Sequence, residues 1–417
     1  MKYFAIFLLL FYSLAVAQNK ILIYMDQTQT DHLKAYGIVY NHLNRGGIVD
    51  WLLNYRGGSF LTDYSDELAT LCRIKGVSFQ IISFAQAIDI LTFVQSEEQN
   101  MDVARLEKAP KIAVYVPPTY QPWDDAVMLA MEYAEVPYDR IFLEEILTGS
   151  LDKYDWVHLH HEDFTGQYGK FYASYANAQW YREQQAMYER EAKKLGYKKV
   201  SEALKAVVIE LKNFIAQGGF MFAMCSATDT YDIALASLNI DICETIFDGD
   251  PADPKINEKL DYSQTLAFQN FKFEANPFVY EYSDIDISPQ EIGDWNNDYF
   301  TLFEFSAKYD PVPTMLTQNH VNVIRGFLGQ TTMFRENLIK KNVYILGKRE
   351  GTDQVKYIHG NFGRGFFTFY GGHDPEDYQH FVGDEHTDLS LHKNSPGYRL
   401  ILNNILFPAA KKKKQKT

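Results

Sequence analysis

The sequence predicts an α/β protein built on a parallel sheet flanked by helices. Two observations carry this prediction. Short apolar segments of strand type alternate with helical patterns along most of the chain, which is typical of βαβ units. Hydrophobic residues make up 46% of the 417 residues, enough to form a large core.

Residues 1–17 predict a secretory signal peptide. Lys2 supplies a positive charge, residues 3–14 form a short apolar core, and Ala15-Val16-Ala17 fits a small-x-small cleavage motif. The apolar segment is shorter than the roughly 20 residues that span a bilayer, and no later segment is apolar enough to span one. We therefore expect cleavage near Ala17 and export to the periplasm or the cell exterior.

Residues 19–108 predict a small N-terminal α/β unit. Its strand and helix patterns alternate, so we expect parallel strands here as well. The expected elements are strands at 20–25, 48–55 and 77–83 and helices at 32–43 and 64–74. A linker rich in Gln and Glu follows and ends near Pro110.

A larger α/β domain is expected over residues 110–245 and 336–408. Residues 246–335 interrupt it as a long irregular insertion, because they are rich in Asp, Pro, Asn and aromatic residues and show no alternation. The expected strands are 111–116, 154–160, 220–224, 343–346, 355–359 and 366–370, and the expected helices begin at Pro122 and cover 171–197, 201–216 and 398–406. The basic tail 409–417 is expected to be disordered.

The composition bears on partners and redox state. A formal charge of −14 argues against nucleic acid as a partner. The three cysteines, Cys72, Cys225 and Cys243, are too few for a disulfide scaffold. An odd number in an oxidising compartment leaves at least one thiol unpaired.

Cys225 stands in the strongest local pattern of the chain. A double glycine at 218–219 precedes an apolar strand, and small polar residues starting at Ser226 open a helix. A thiol at a helix N-terminus feels the positive end of the helix dipole, which lowers its pKa, and free N–H groups there can bind an oxyanion. The pattern suits a nucleophile. The alternative is a small buried thiol at the end of a core strand.

His373 follows the predicted strand 366–370, at the end where α/β sheets place their sites. It is the candidate base for Cys225, and Asp374 or Glu376 is the candidate for orienting its ring. The alternative is a loop histidine beside a structural Gly-Gly turn.

A histidine-rich strand end covers residues 158–163. His158 and His160 face the same side of a strand, so together with Glu162 they could hold Zn²⁺ or a similar divalent ion. The alternative is that this segment only lines a cleft. In that case His160, His161 and Glu162 would form a substrate pocket together with Ser226. We expect no other cofactor.

Residues 111–245 joined to 343–407 resemble the class I glutamine amidotransferase-like superfamily, in particular its trehalose-utilisation and biotin-ligase N-terminal branches. Residues 223–227 resemble the cysteine elbow, residues 363–374 the closing strand, and the helix at 398–406 the C-terminal helix. The resemblance implies a flavodoxin-like sheet and a Cys–His pair. The segment 373–376 is one residue longer than the His-Pro-Glu of the superfamily, and Ala227 replaces its usual Gly.

The whole chain also resembles exported Bacteroidota proteins labelled "asparagine synthetase B", through residues 52–60 and 158–172. The motifs of a genuine synthetase are absent from the sequence. The first cysteine is Cys72, and there is neither a Ser-Gly-Gly-x-Asp-Ser loop nor a Walker-type loop. ATP-driven synthesis is therefore not expected.

Three functions follow from these patterns. The first is a cysteine-dependent amidase or hydrolase with Cys225, His373 and either Asp374 or Glu376. The second is non-catalytic binding of a carbohydrate or peptide by the aromatic segments 168–188 and 278–305. The third is a metal-dependent hydrolase that uses residues 158–163. The substrate is a small molecule, glycan or peptide, and nothing in the sequence sets the oligomeric state.

Overall fold

The computed structural model describes residues 19–118, 125–294, 296, 298–379, 381 and 383–410. The predicted signal peptide, most of the basic tail and the predicted helix start at Pro122 lie outside these residues. Within the described part of the chain, no helix combines the length and apolarity needed to cross a membrane.

The N-terminal unit contains an antiparallel sheet. Its strands are β1 (Lys20–Ile23), β2 (Val49–Leu53), β3 (Ser59–Asp63), β4 (Gln80–Ile82) and β5 (Asp102–Leu106). They lie in the order β4-β1-β3-β2-β5, and every neighbouring pair is antiparallel. The predicted parallel arrangement is wrong here. The sequence patterns missed β3 and β5, and a short turn joins β2 to β3, which forces that pair to be antiparallel.

Three helices accompany this sheet: α1 (His32–Asn44), α2 (Asp66–Lys75) and α3 (Phe84–Gln95). Each begins at a polar side chain that accepts a backbone N–H of the first turn, namely Asp31, Ser65 and Ser83. Such N-caps satisfy donors that have no partner within the helix, so they fix where each helix starts.

The larger sheet is mixed, which confirms the α/β class. Its parallel part contains β6 (Ile112–Tyr115), β7 (Asp139–Ile141), β8 (Trp156–Leu159), β9 (Phe220–Met224) and β15 (Gly365–Tyr370). Its antiparallel part contains β10 (Tyr299–Leu302), β11 (Val323–Arg325), β12 (Phe334–Arg335), β13 (Tyr344–Lys348) and β14 (Gln354–Phe362). The spatial order is β11-β10-β13-β14-β15-β9-β8-β6-β7, with β12 beside β14. The insertion thus supplies three strands of the same sheet.

The remaining helices connect these strands. They are α4 (Ala126–Ala134), α5 (Leu143–Leu147), α6 (Tyr172–Tyr175), α7 (Gln179–Lys194), α8 (Val200–Gln217), α9 (Ala227–Ala236), α10 (Thr245–Asp248), α11 (Ile256–Lys259), α12 (Pro289–Ile292), α13 (Pro311–Leu316) and α14 (Pro396–Leu406). The helix predicted over 171–197 is two helices, α6 and α7. Helix α8 is capped by Gly218, whose φ of +119° favours glycine because a Cβ atom would be strained there.

The two sheets share one hydrophobic core. A continuous cluster of buried residues runs from β1 and α1 of the N-terminal unit to α4 and α14 of the larger domain. Arg399 of α14 is fully buried in it. Its guanidinium donates to Met25 O and to the Tyr36 hydroxyl, both at 2.9 Å, and to Gly57 O. The helix that closes the larger domain therefore also holds the N-terminal sheet.

Candidate active site at the carboxyl ends of β8, β9 and β15

Cys225 occupies a sharp turn between β9 and α9. Its φ is +50°, a left-handed conformation that is uncommon for a residue with a side chain. The neighbouring strand ends hold this turn, because Cys225 N donates to Gly372 O at 3.1 Å and Ala227 N donates to His160 O at 3.0 Å. The turn therefore lies directly against the residues that follow β8 and β15.

The thiol of Cys225 is buried and surrounded by backbone amides. Only 2% of the residue is exposed, and Gln330 N donates to Sγ at 3.2 Å. Burial raises the pKa of the Cys225 thiol to about 11, while N–H groups of Thr331, Gln330 and Ser226 act in the opposite direction. The net shift is opposite to the lowering expected from the helix dipole, so the thiol is protonated at neutral pH.

Residues 327–333, which we call the covering segment, pass directly over Cys225. The segment belongs to the insertion, and backbone bonds attach it to the end of β15: Gly372 N donates to Thr331 O at 2.7 Å and His373 N to Leu328 O at 2.9 Å. The approach is so close that a Cβ on Gly329 would lie 2.6 Å from His373 N. A larger residue at position 329 would push the segment away from the sheet.

Three buried charged residues also hold the covering segment. Lys356 donates to Phe327 O at 2.5 Å and to Thr332 O at 3.0 Å. Asp229 accepts the Thr331 hydroxyl at 2.7 Å, and Asp286 accepts the backbone N–H of Thr332 at 2.8 Å. The sequence analysis identified none of these three residues as candidates. Only Asp229 carried a signal, since it stands one helical turn after Cys225.

Burial shifts the pKa values of these groups towards neutrality. It lowers the pKa of Lys356 to about 7 and raises that of Asp229 to about 7. The pKa of Asp286 is also raised, first by burial and then by the nearby charge of Asp229. The covering segment is therefore held by groups whose charged forms are destabilised by burial.

His160 and His373 come from the two strands that flank β9, and their rings are in contact beyond its carboxyl end. His160 follows β8 and His373 follows β15, and the Nε2 of His160 lies 3.1 Å from the Nδ1 of His373. Their ring planes are nearly perpendicular. The ring of His161 lies 5.3 Å from that of His160 and 5.6 Å from that of His373, measured between centroids. His160, His161 and His373 thus belong to one site.

Asp125 lies behind this pair. Its carboxylate caps α4 by accepting the N–H groups of Val127 and Met128. It also faces two imidazoles, with 3.3 Å to His158 Nε2 and 3.6 Å to His160 Nδ1. Burial acts to raise the pKa of Asp125, but His158 and the amide donors hold that pKa below its ordinary value. The sequence patterns marked Asp125 only as part of a helix start.

The predicted metal set of His158, His160 and Glu162 is not brought together. The Nδ1 of His158 bonds to Phe222 O at 3.0 Å, and Glu162 Oε2 accepts the backbone N–H of His160 at 2.8 Å. Among the described residues, the groups around these histidines whose ligand atoms lie within 4.8 Å of one another are His160–His161–His373 and Asp125–His158–His160. Glu162 belongs to neither because the chain turns after Leu159.

The carboxylates expected to orient His373 have other partners. Glu376 accepts the Tyr378 hydroxyl at 2.8 Å and pairs with His392 Nδ1 at 2.9 Å. Asp374 accepts the backbone N–H of Glu376, and burial raises its pKa. His160, with Asp125 behind it, takes the position beside His373 that these two carboxylates were expected to fill.

The other predicted pocket residues border this site. Ser226 is fully buried at the start of α9. A small pocket opens beside His161 and Glu162. Aromatic side chains from the segment after β8 and from α7 form its walls, including Tyr168, Phe171 and Tyr188.

All three cysteines are buried free thiols. The Sγ of Cys243 donates to Thr165 O at 3.2 Å. Cys225 and Cys243 are therefore not joined by a disulfide.

Comparisons with known proteins leave the family open. No family model matches the chain, and no curated protein matches it. Two cytoplasmic proteins of Salmonella typhimurium are similar over 72% of this chain and 100% of their own, one with 9% identity and a TM-score of 0.34, the other with 10% and 0.37. A GH42 β-galactosidase of G. stearothermophilus is similar over 64% of this chain and 28% of its own, with 10% identity and a TM-score of 0.27. All of these TM-scores are below 0.5.

Proposed function

We propose that the protein is an exported hydrolase of class I glutamine amidotransferase-like type, in which Cys225 attacks an amide or a related carbonyl compound. One observation carries the proposal: Cys225 adopts a left-handed conformation at a strand–helix turn, with backbone N–H groups directed at its sulfur. Strained backbone of this kind is found at sites where a side chain must be presented to a ligand.

The order of the parallel strands supports the resemblance. Numbered along the chain from one to five, β7-β6-β8-β9-β15 reads 2-1-3-4-5, the order of a flavodoxin-like sheet. Such sheets bind ligands beyond the carboxyl ends of the strands, where the order reverses between the first and third. Those strands here are β6 and β8. Asp125 follows the first of them, and His158 and His160 lie at the end of the second.

In the proposed reaction His373 accepts the thiol proton, and the sulfur of Cys225 attacks the carbonyl carbon. The amide N–H groups around Sγ stabilise the thiolate that forms. Collapse of the tetrahedral intermediate breaks the C–N bond, and the leaving amine takes the proton from His373. Water then hydrolyses the thioester with His373 as its base and returns a proton to Sγ. His160, backed by Asp125, orients the ring of His373.

The covering segment must move for this reaction to occur. Cys225 is only 2% exposed, and its thiol pKa of about 11 belongs to the covered arrangement. We propose that a substrate carbonyl displaces the segment from Sγ. The described arrangement is then the resting form of the enzyme.

The experiment measures ammonia release and ester cleavage with a panel of primary amides and p-nitrophenyl esters. Cys225→Ala should reduce the rate to background. Cys243→Ala is the matched control, because it removes another buried thiol and should retain the activity. Unchanged hydrolysis by Cys225→Ala would refute the proposed nucleophile.

A further inference from the structure

We propose that His160, His161 and His373 form a binding site for a divalent transition metal ion such as Zn²⁺. The inference goes beyond the proposed function, which uses no metal. It also differs from the metal set predicted from sequence, since it replaces His158 and Glu162 with His161 and His373.

The positions of the ring nitrogens carry the inference. One nitrogen from each of the three imidazoles lies within 4.8 Å of the other two, and His160 Nε2 is 3.1 Å from His373 Nδ1. Imidazole nitrogens lie about 2 Å from zinc, which places two of them about 3.3 Å apart in a tetrahedral site. A hydrogen bond between neutral rings needs only two imidazoles. The convergence of a third is what a metal ion requires.

The residues behind the cluster are arranged as in known metal sites. His160 Nδ1 lies 3.6 Å from Asp125 Oδ1, and a carboxylate behind a ligating histidine fixes its tautomer. With a proton on Nδ1, the lone pair of Nε2 points towards His373. Asp125 itself is held by the N–H groups of Val127 and Met128. The nearby carboxylate therefore favours this orientation of His160 before an ion arrives.

The second group, Asp125–His158–His160, suits an ion less well. All three residues are fully or almost fully buried, and Asp125 already caps α4. The Nδ1 of His158 bonds to Phe222 O at 3.0 Å and its Nε2 lies 3.3 Å from Asp125, so both ring nitrogens already face groups of the fold. We assign Asp125 as the orienting residue and not as a ligand.

The surroundings indicate which ion enters and how. His161 is only half-buried and borders the small pocket, which gives an ion a route to the cluster and room for one water as a fourth ligand. Three histidines with an open position are a donor set of catalytic zinc sites. Imidazole favours Zn²⁺, Co²⁺, Ni²⁺ or Cu²⁺ over Mg²⁺ and Ca²⁺, which prefer oxygen ligands.

Metal binding and the proposed base role of His373 exclude each other at any moment. An ion on Nδ1 of His373 replaces the proton that this nitrogen directs at His160. The single proton of the ring is then on Nε2, so no lone pair is left to accept the thiol proton. Hydrolysis through Cys225 should therefore fall as the metal site fills, whereas metal binding does not depend on Cys225.

The test titrates Co²⁺ into chelator-treated mature protein and follows its visible absorption, with Zn²⁺ stoichiometry measured by mass spectrometry of the metal. We expect about one ion per chain. His161→Ala and His373→Ala should each weaken binding by about 100-fold or more, and Asp125→Asn by about 10–100-fold. His161→Gln provides a second variant if the alanine change impairs folding, which circular dichroism checks.

His392→Ala is the matched control, because His392 pairs with Glu376 outside the cluster. This variant should bind Co²⁺ as tightly as the unaltered protein. Cys225→Ala should also retain the Co²⁺ spectrum, so failure of the nucleophile proposal and failure of this one give different results. Absence of a bound ion, or binding unaffected by both His161→Ala and His373→Ala, overturns the metal site.

Discussion

At the residue scale, strand periodicity predicted part of the site correctly. His158 and His160 do face one side, because alternate residues of a strand share a face, and there they meet Asp125. Glu162 lies beyond the end of β8, where periodicity no longer applies. Its carboxylate accepts the N–H of His160 instead of joining the rings. The roles of Asp125 and His161 depend on contacts between separate elements, which one sequence does not reveal.

The buried carboxyl of Asp229 makes a prediction about pH. Burial raises its pKa from 3.8 to about 7 in the folded protein. Between these values the unfolded chain loses a proton that the folded protein keeps, so stability falls as pH rises from about 4 to 7. Asp229→Asn removes this loss of stability, and the amide oxygen of Asn can still accept the hydrogen bond of the Thr331 hydroxyl. It should raise the free energy of unfolding at pH 8 by up to roughly 4 kcal/mol relative to the unaltered protein.

Urea unfolding at pH 5 and pH 8 measures this effect. The control is Asp232→Asn, three residues further along α9. Asp232 accepts the backbone N–H groups of Leu266, Ala267 and Phe268, so an amide placed there loses acceptors and should destabilise the protein at both pH values. An unchanged pH dependence in Asp229→Asn would contradict the assignment of Asp229 as the titrating group.

At the element scale, the larger sheet was predicted better than the N-terminal one. Strand β9 was predicted with its observed bounds, and β6, β8 and β15 to within two residues at either end, because buried parallel strands are continuous apolar runs. Strand β5 was missed because its sequence, Asp-Val-Ala-Arg-Leu, follows a polar stretch. The covering segment was missed too, since its position depends on Lys356, Asp229 and Asp286 from three distant parts of the chain.

Lys356 tests how the covering segment is held. Lys356→Met keeps the length of the buried side chain but removes both hydrogen bonds to the segment. We expect the segment to open more often and alkylation of Cys225 by iodoacetamide at pH 8 to become at least about tenfold faster.

Mass mapping of the alkylated protein measures this rate. Cys243 of the same chain is an internal control, because it is equally buried and is labelled only if the whole protein loosens. The surface variant Lys341→Met, on an exposed turn, should leave both rates unchanged. An unchanged Cys225 rate in Lys356→Met would mean that Lys356 does not hold the segment closed.

At the scale of the whole molecule, the shared core makes the two sheets interdependent. Arg399 supplies donors to Met25 O and Gly57 O across the boundary between them. Arg399→Met removes the Arg399 donors from Gly57 O, the Tyr36 hydroxyl and Met25 O, of which Met25 O keeps the ring of His32 as a partner. The loss should lower the free energy of unfolding by about 2–5 kcal/mol. The sequence divided the chain into separate units here, because it does not show which helix packs against which sheet.

Chemical unfolding followed by circular dichroism and by tryptophan fluorescence measures this prediction. We expect one transition for both signals and a lower midpoint for Arg399→Met. Arg364→Met, on the exposed turn before β15, is the control and should unfold as the unaltered protein does. Two separate transitions in the unaltered protein would contradict a shared core.

The central proposal is that Cys225 is the nucleophile of a hydrolase, and trapping an acyl intermediate on its sulfur tests it most directly. The mature protein is mixed with a p-nitrophenyl ester, quenched in acid during turnover, and digested for peptide mass mapping. The account predicts an acyl group on the peptide that contains Cys225, and its absence in Cys225→Ala. Turnover that continues with no acyl group on Cys225, or that persists in Cys225→Ala, would contradict it.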